Sequence, residues 1–406
     1  MNNVLGQPVE GADFFDRDEE AGSLWASIIE GNHVLLLAPR RVGKTSLALR
    51  IGAEAVRIGW KFSLVDVQRD RDELGFLDNL FQNLKSAGVK VPILAKLTEL
   101  VTFARRNLRG KVEAGGFGME LQTGEGAETT TLEHQIERLF QEIEAADDKV
   151  LIAVDELPVL LEALEDSTEP TARLRGFLNW FRALRLRYRK NVRWLLLGSV
   201  GLDTFAELRH LTATINDLQP SSLGAYSEPV AIKFLQELGM SKGVTLDDNL
   251  CRAVLAEIGW PLPFFLQLVF HELNSLLGRP VRQPVLDDIQ QATRQLLAPQ
   301  FYKHFEPWRG RLAEGLDADH HRVAVTVLNT LCVKPDGLSR PALFNAVVAK
   351  FPHRDPDDAA GLLATTLGVL ERDGYLLRQD APTGAAATYA FRSFLLRGYW
   401  HARELV

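Results

Sequence analysis

The chain has 406 residues, 46% of them hydrophobic and 24% charged, and carries a net charge of −7. That length exceeds one ordinary core and predicts two or three domains, and the acidic balance excludes a protein that coats nucleic acid wholesale while leaving a local basic patch open. No apolar run approaches the roughly 18 residues that cross a bilayer, and Met1-Asn2-Asn3-Val4 lacks the basic stretch of a secretion signal, so a cytoplasmic protein is expected.

Residues 13–30 open with Asp13-Phe14-Phe15-Asp16-Arg17-Asp18-Glu19-Glu20 and continue as a helical pattern through Leu24, Trp25, Ile28 and Ile29. Val34-Leu35-Leu36-Leu37 reads as a strand, Ala38-Pro39-Arg40-Arg41-Val42-Gly43-Lys44-Thr45-Ser46 as a loop, and Leu47-Ala48-Leu49 as the body of a helix. A phosphate-binding loop needs this order. Its backbone N–H groups turn inward on the phosphates, the helix N-terminus adds partial positive charge, and Gly43 permits close approach. Lys44 would then reach the β- and γ-phosphates, and Thr45 would place its hydroxyl on Mg²⁺. The competing reading is an ordinary turn between buried elements.

Further strands are expected at 61–67, 150–154, 192–197 and near 215–218, with helical segments between them, the pattern of a parallel sheet covered on both faces. Between the second and third strands, 94–108 reads as a helix and 111–121 alternates around glycines like a hairpin. The stretch 123–131 reads as a mobile connection. The unbroken run Val150-Leu151-Ile152-Ala153-Val154 ends in Asp155-Glu156, as a buried strand does when it delivers carboxylates at its C-terminal edge. Asp155 would hold Mg²⁺ through its water shell and Glu156 would polarise an attacking water; two merely solvated acids are the alternative.

From 171 to 190 there are seven basic residues and no acid. Leu174, Phe177, Leu178, Phe181 and Leu184 share one helical face and should pack on the sheet, while Arg182, Arg185 and Arg189 share another. That second face is either solvated or an anion surface, for a neighbouring subunit's γ-phosphate or for DNA. Gly198-Ser199 follows the 192–197 strand at the sheet edge, where Ser199 can sense the γ-phosphate or position water. Past Pro220 the pattern turns helical at 230–238 and 250–258, breaks at Gly259-Trp260-Pro261-Leu262-Pro263-Phe264, and resumes at 265–277. This reads as a helical lid with the Gly-Trp-Pro turn facing the nucleotide. Cys251 and Cys332 stand far apart in apolar surroundings and suit reduced core thiols, and the nine histidines show no metal-ligand spacing.

Residues 317–406 give helices at 323–331, 340–350 (Ser339 as its cap) and 358–371, then a strand from Tyr375, a wing turn at Pro382-Thr383-Gly384, and a returning strand at 388–391. Three helices and a wing make a winged helix-turn-helix. Its third helix holds no Lys or Arg over 359–370, and 322–404 has ten basic and eight acidic residues, which favours a protein contact over DNA reading.

These motifs, in this order, resemble the archaeal-type AAA+/STAND P-loop ATPases. The resemblance rests on Phe14-Phe15-Asp16-Arg17-Asp18-Glu19, on Pro39 through Ser46 with its double arginine, on Val154-Asp155-Glu156-Leu157-Pro158, on Gly198-Ser199, on Gly259-Trp260-Pro261 and on the winged helix. Asp16 and Ala38 stand where the family usually has glycine. The resemblance implies an α/β fold with a parallel P-loop NTPase sheet covered on both faces, then a small helical lid and a winged helix, divided as 1–220, 221–316 and 317–406. It implies ATP with Mg²⁺, bound by Arg17, by Pro39, Arg40, Arg41, Val42, Gly43, Lys44, Thr45 and Ser46 of the loop, and by Pro261. Lys44, Glu156 and Ser199 are then the catalytic residues and Thr45 and Asp155 the metal ligands.

The leading expectation is an ATP-hydrolysing switch, slow or partner-stimulated, whose lid and winged helix report the nucleotide state. Two alternatives stand beside it. One is an ATP-controlled DNA-binding protein of the replication or transposition type. The other is a signalling ATPase of a defence or regulatory system that forms homo-oligomers on ATP and acts on a protein partner through the winged helix.

Overall fold

The computed structural model describes residues 1–107, 120–121, 130–165, 170–198, 205–206, 209–278, 282–380 and 386–404. It divides into two compact units, one of residues 17–38 and 44–223, the other of residues 1–16, 39–43 and 224–406.

The first unit is built on five parallel strands: β1 (His33–Leu37), β2 (Lys61–Asp66), β3 (Val150–Asp155), β4 (Val192–Gly198) and β5 (Leu218–Ser222), in the spatial order β2-β3-β4-β1-β5. Every residue of β3 and β4 is buried, as expected for central strands covered by helices on both faces. Among the described residues the sheet is accompanied by helices α1 (Asp18–Glu30), α2 (Lys44–Arg57), α3 (Glu73–Ser86), α4 (Pro92–Asn107), α5 (Leu132–Ala145), α6 (Leu157–Glu165) and α7 (Pro170–Arg187). The apolar face expected on α7 is confirmed, since Leu174, Phe177, Leu178, Phe181 and Leu184 are all buried. Phe181 meets Trp194 of β4 edge to face at 4.8 Å between ring centroids.

Two boundaries differ from the sequence reading. The last strand lies at 218–222 rather than 215–218, so Pro220 sits inside it. This is tolerated because β5 is an edge strand, where a missing N–H interrupts no second ladder. Of the hairpin read at 111–121, the described part is Glu120–Leu121, which pairs antiparallel with Thr130–Thr131; 111–119 and 122–129 lie outside the described residues.

The second unit is helical over α8 (Glu228–Met240), α9 (Asp248–Ile258), α10 (Pro263–Leu276), α11 (Leu286–Leu296) and α12 (Glu306–Gly315). It continues as α13 (Ala318–Cys332), α14 (Arg340–Lys350) and α15 (Pro356–Arg372), then β7 (Leu376–Gln379) and β8 (Thr388–Phe391), and ends with α16 (Phe394–Glu404). With β6 (Leu338–Ser339), β7 and β8 form a three-stranded antiparallel sheet in the order β6-β8-β7, which completes the winged helix. Ser339 is the residue before α14, yet its side chain makes no capping hydrogen bond. The wing turn read at 382–384 lies outside the described residues. No single described helix is long and apolar enough to cross a membrane.

Candidate functional site

Strands β1 and β3 both flank β4 and run parallel to it, so their C-terminal ends reach the same sheet edge, about 10 Å apart at ~4.8 Å per strand. The end of β1 leads through residues 38–43 into α2, whose first residue is Lys44. The end of β3 presents Asp155. Across this gap Thr45 Oγ1 donates to Asp155 Oδ2 at 2.5 Å, so a hydroxyl and a carboxylate 110 residues apart in the chain share one hydrogen bond.

Lys44 is buried, and its Nζ donates to the carbonyl of Ala38 at 3.0 Å. A buried ammonium needs such an acceptor, and it is held at the mouth of its own loop. Ala38 N–H in turn donates to Gly198 O at 3.2 Å, which fixes the loop's start to β4. Gly43 has φ +101° and open space where a Cβ would stand, a backbone conformation that L side chains rarely adopt. Val42 and Ser46 are buried.

Asp155 is buried, and desolvation pushes its pKa above the ordinary carboxylate value, with the Glu156 charge adding to the rise. The Thr45 hydrogen bond and Lys44 oppose that shift. Glu156 follows with φ +58°, a left-handed conformation in a residue that has a Cβ. Its Oε2 is buried and has no hydrogen-bond partner among the described residues. Backbone strain and an unsatisfied carboxylate oxygen on the same residue are features that fold stability alone would remove. These groups fit a divalent cation and the phosphates it accompanies: a hydroxyl and a carboxylate already in register, an ammonium beside them, and a second acid with an unused oxygen.

The other expected site residues are placed as follows. Arg17 is buried at the start of α1 with φ +70°, and its Nη1 donates to Glu20 at 2.7 Å. Arg41, φ +67°, lies with its guanidinium 4.5 Å from the centroid of the Phe264 ring and donates to Gly6 O at 3.4 Å. Arg40 has a buried Nε without a partner among the described residues. Pro39 is buried, and the Pro261 carbonyl accepts from Tyr226 N–H at 3.1 Å. Ser199 lies outside the described residues.

The basic face read on α7 is corrected at Arg185. Its guanidinium is buried and bidentate on Asp217, with both contacts at 2.8 Å, and donates also to Thr214 O. Burial pushes the Asp217 carboxyl up, and the Arg185 hydrogen bonds outweigh that and hold it below its ordinary value. Arg182 leans on the same carboxylate at 3.5 Å, while Arg173 pairs with buried Glu73 and Arg187 with Glu137. Helical spacing groups Arg185 with the polar face, because its acid comes from a later turn that such spacing cannot reveal.

Sequence reasoning also missed His33, buried at the start of β1. Trp194 N–H donates to its Nδ1 at 3.2 Å, so the proton sits on Nε2, which donates to Arg185 O at 2.8 Å. Burial, reinforced by the positive charges of Arg185 and Arg193, lowers its pKa to about 4. A lone histidine before an apolar run carries no signal of this kind.

No family model and no curated protein matches the sequence. Solved structures do resemble it. The Walker-type ATPase of Pyrococcus abyssi superposes with a TM-score of 0.60 at 17% identity, over 99% of this chain and 100% of that one. The ORC2 protein of Aeropyrum pernix, in its ADPNP–ADP complexes, superposes with a TM-score of 0.57 at 11% identity, over 97% of this chain and 95% of that one. At these identities the likeness is one of fold, and the chain has the fold of an AAA+ P-loop ATPase carrying a C-terminal winged helix.

Proposed function

We propose that the chain binds ATP with Mg²⁺ and hydrolyses it, and that the nucleotide state sets the arrangement of its helical and winged-helix segments. The hydrogen bond between Thr45 and Asp155 carries this reading, because it brings a hydroxyl and an acid from distant segments together beside Lys44. Thr45 and Asp155 would hold the cation, Asp155 through water, and Mg²⁺ when bound would neutralise charge on the β- and γ-phosphates. Lys44 exchanges its Ala38 carbonyl for phosphate oxygens and offsets the charge that develops during transfer. The backbone of Pro39 through Ser46 wraps the phosphates. Glu156, with its free Oε2, accepts a hydrogen bond from the attacking water and orients it in line; Ser199 is proposed to contact the γ-phosphate.

Calorimetric titration with Mg-ATP and a phosphate-release assay test this. Lys44→Ala should abolish the heat of binding, whereas Glu156→Gln should keep it and lower turnover by about 10²–10⁴-fold. Unchanged turnover in Glu156→Gln would remove Glu156 from its role. Among the further proposals, a protein partner at the winged helix is favoured over DNA, since Arg185 is committed to Asp217 and the arginine stripe is incomplete. Self-assembly on ATP is read by sizing with and without the nucleotide.

A further inference from the structure

The double arginine of the loop has no role in the chemistry above that its geometry requires, and Arg41 is turned to something else. Its guanidinium covers the Phe264 ring at 4.5 Å and points one Nη1 at the Gly6 carbonyl. Gly6 has φ +74°, where a side chain would be strained, and a Cβ there would stand 2.9 Å from that Nη1. Burial lowers the Arg41 pKa, with the neighbouring Arg40 charge adding to the effect. Arg41 therefore bridges the N-terminal segment and the first turn of α10.

Phe264 lies four residues beyond Trp260, which is itself locked into the winged helix. The Trp260 ring lies under the Arg392 guanidinium at 4.8 Å, and a Cβ on Gly374 would stand 2.3 Å from Trp260 Cη2. Trp260 also meets Trp308 edge to face at 6.0 Å, and the Tyr375 hydroxyl donates to Trp308 O at 2.5 Å. Phe264 meets Phe265 at 6.0 Å between ring centroids, Phe265 stacks on Trp308 at 6.3 Å, and Trp308 meets both Trp260 and Tyr375, so ring contacts lead from Arg41 to the residue before β7.

We infer that Arg41 is a positioning residue, which moors the loop preceding Lys44 to Phe264 and so passes any rearrangement of that loop to Trp260 and the winged helix. The part that concerns nucleotide rests on the ATP reading above. The mooring itself does not, and a nucleotide-free measurement decides it.

The test uses the full chain with Arg41→Ala, Phe264→Leu and the double substitution, read by hydrogen exchange of segments 38–44, 258–264 and 374–379 and by calorimetry with Mg-ATP. Without nucleotide, each single substitution should speed opening of 38–44 by about threefold to thirtyfold, the range of a cation–π contact. The double should do no more than the larger single, because both remove one contact. The two singles should change ATP affinity by the same factor. Mg-ATP should alter exchange at 258–264 and 374–379 in the wild type, and those distant changes should vanish in both variants.

Additive effects in the double, or no effect in Phe264→Leu, would overturn the mooring. So would a loss of ATP affinity of tenfold or more in Arg41→Ala alone, which would make Arg41 a phosphate ligand. A wild type that gives no heat with Mg-ATP would sink the ATP reading, while the exchange cycle would still decide whether Arg41 and Phe264 act as one.

Discussion

Lowering the pH should destabilise the protein through His33 in a way that can be isolated. The imidazole is neutral in the fold with a pKa of about 4, against 6.5 unperturbed. Protonation would put a second N–H against the Trp194 N–H that now donates to Nδ1, inside a buried site facing Arg185 and Arg193. Between these pH values the unfolded chain binds the proton and the folded chain refuses it, so stability rises with pH. The contribution is complete above about pH 6.5 and lost as pH falls towards 4. At about 1.4 kcal/mol per pKa unit the difference is worth about 3 kcal/mol. Urea unfolding from pH 7 to pH 4 should therefore show the wild type losing about 3 kcal/mol relative to His33→Gln, which keeps an acceptor and a donor but does not titrate. Other titrating groups contribute to both proteins and cancel in the comparison. Parallel loss in the two proteins would refute both the buried neutral imidazole and the reasoning from its hydrogen bonds.

Arg185→Met should cost about 3–5 kcal/mol by stripping buried Asp217 of its bidentate partner and leaving it only the half-exposed Arg182 at 3.5 Å, whereas Arg187→Met, at an exposed pair, should cost less than about 1 kcal/mol. Equal denaturation midpoints for the two would contradict the burial of Arg185. Asp16, at φ +56°, occupies a left-handed backbone position, and Asp16→Gly should raise stability by up to about 1 kcal/mol; a lower melting temperature would mean its side chain matters more than its backbone. Gly374→Ala should cost about 2–4 kcal/mol through its clash with Trp260, and a neutral result would show that the Trp260 ring can move aside. Cys251, whose thiol is pushed up to about 12 by burial, and the buried Cys332 should both resist a thiol reagent in the folded protein and react in urea. Rapid labelling without denaturant would disprove their burial.

The parts of the site that repeat a local pattern were legible. Apolar runs ending in Gly43-Lys44-Thr45 and in Asp155-Glu156 predicted two strands of one sheet, and the structure joins their ends through one hydrogen bond. Helix spacing likewise read the buried face of α7. What the sequence did not reveal depended on a partner remote in the chain. Arg185 resembles its exposed neighbours until Asp217 is folded beneath it, and Arg41 resembles a phosphate ligand until Phe264 arrives below its plane. Asp16 departs from the usual glycine of its position, and only the backbone shows why glycine suits it: φ is positive there. Pro220 looked like a boundary because proline interrupts most strands, and its edge location, a property of the sheet rather than of the segment, reversed that reading.

The Trp260 contacts bear on how this polypeptide could be shortened or recombined. Ending it after Leu316 would uncover Trp260 and Trp308, which are buried in the intact fold and packed against Tyr375 and Arg392. A fragment so trimmed would present an aromatic patch to solvent and should clump rather than stay dispersed. The last ninety residues are therefore no detachable cassette: gene fusions that swap the terminal module would have to carry the preceding helices with it.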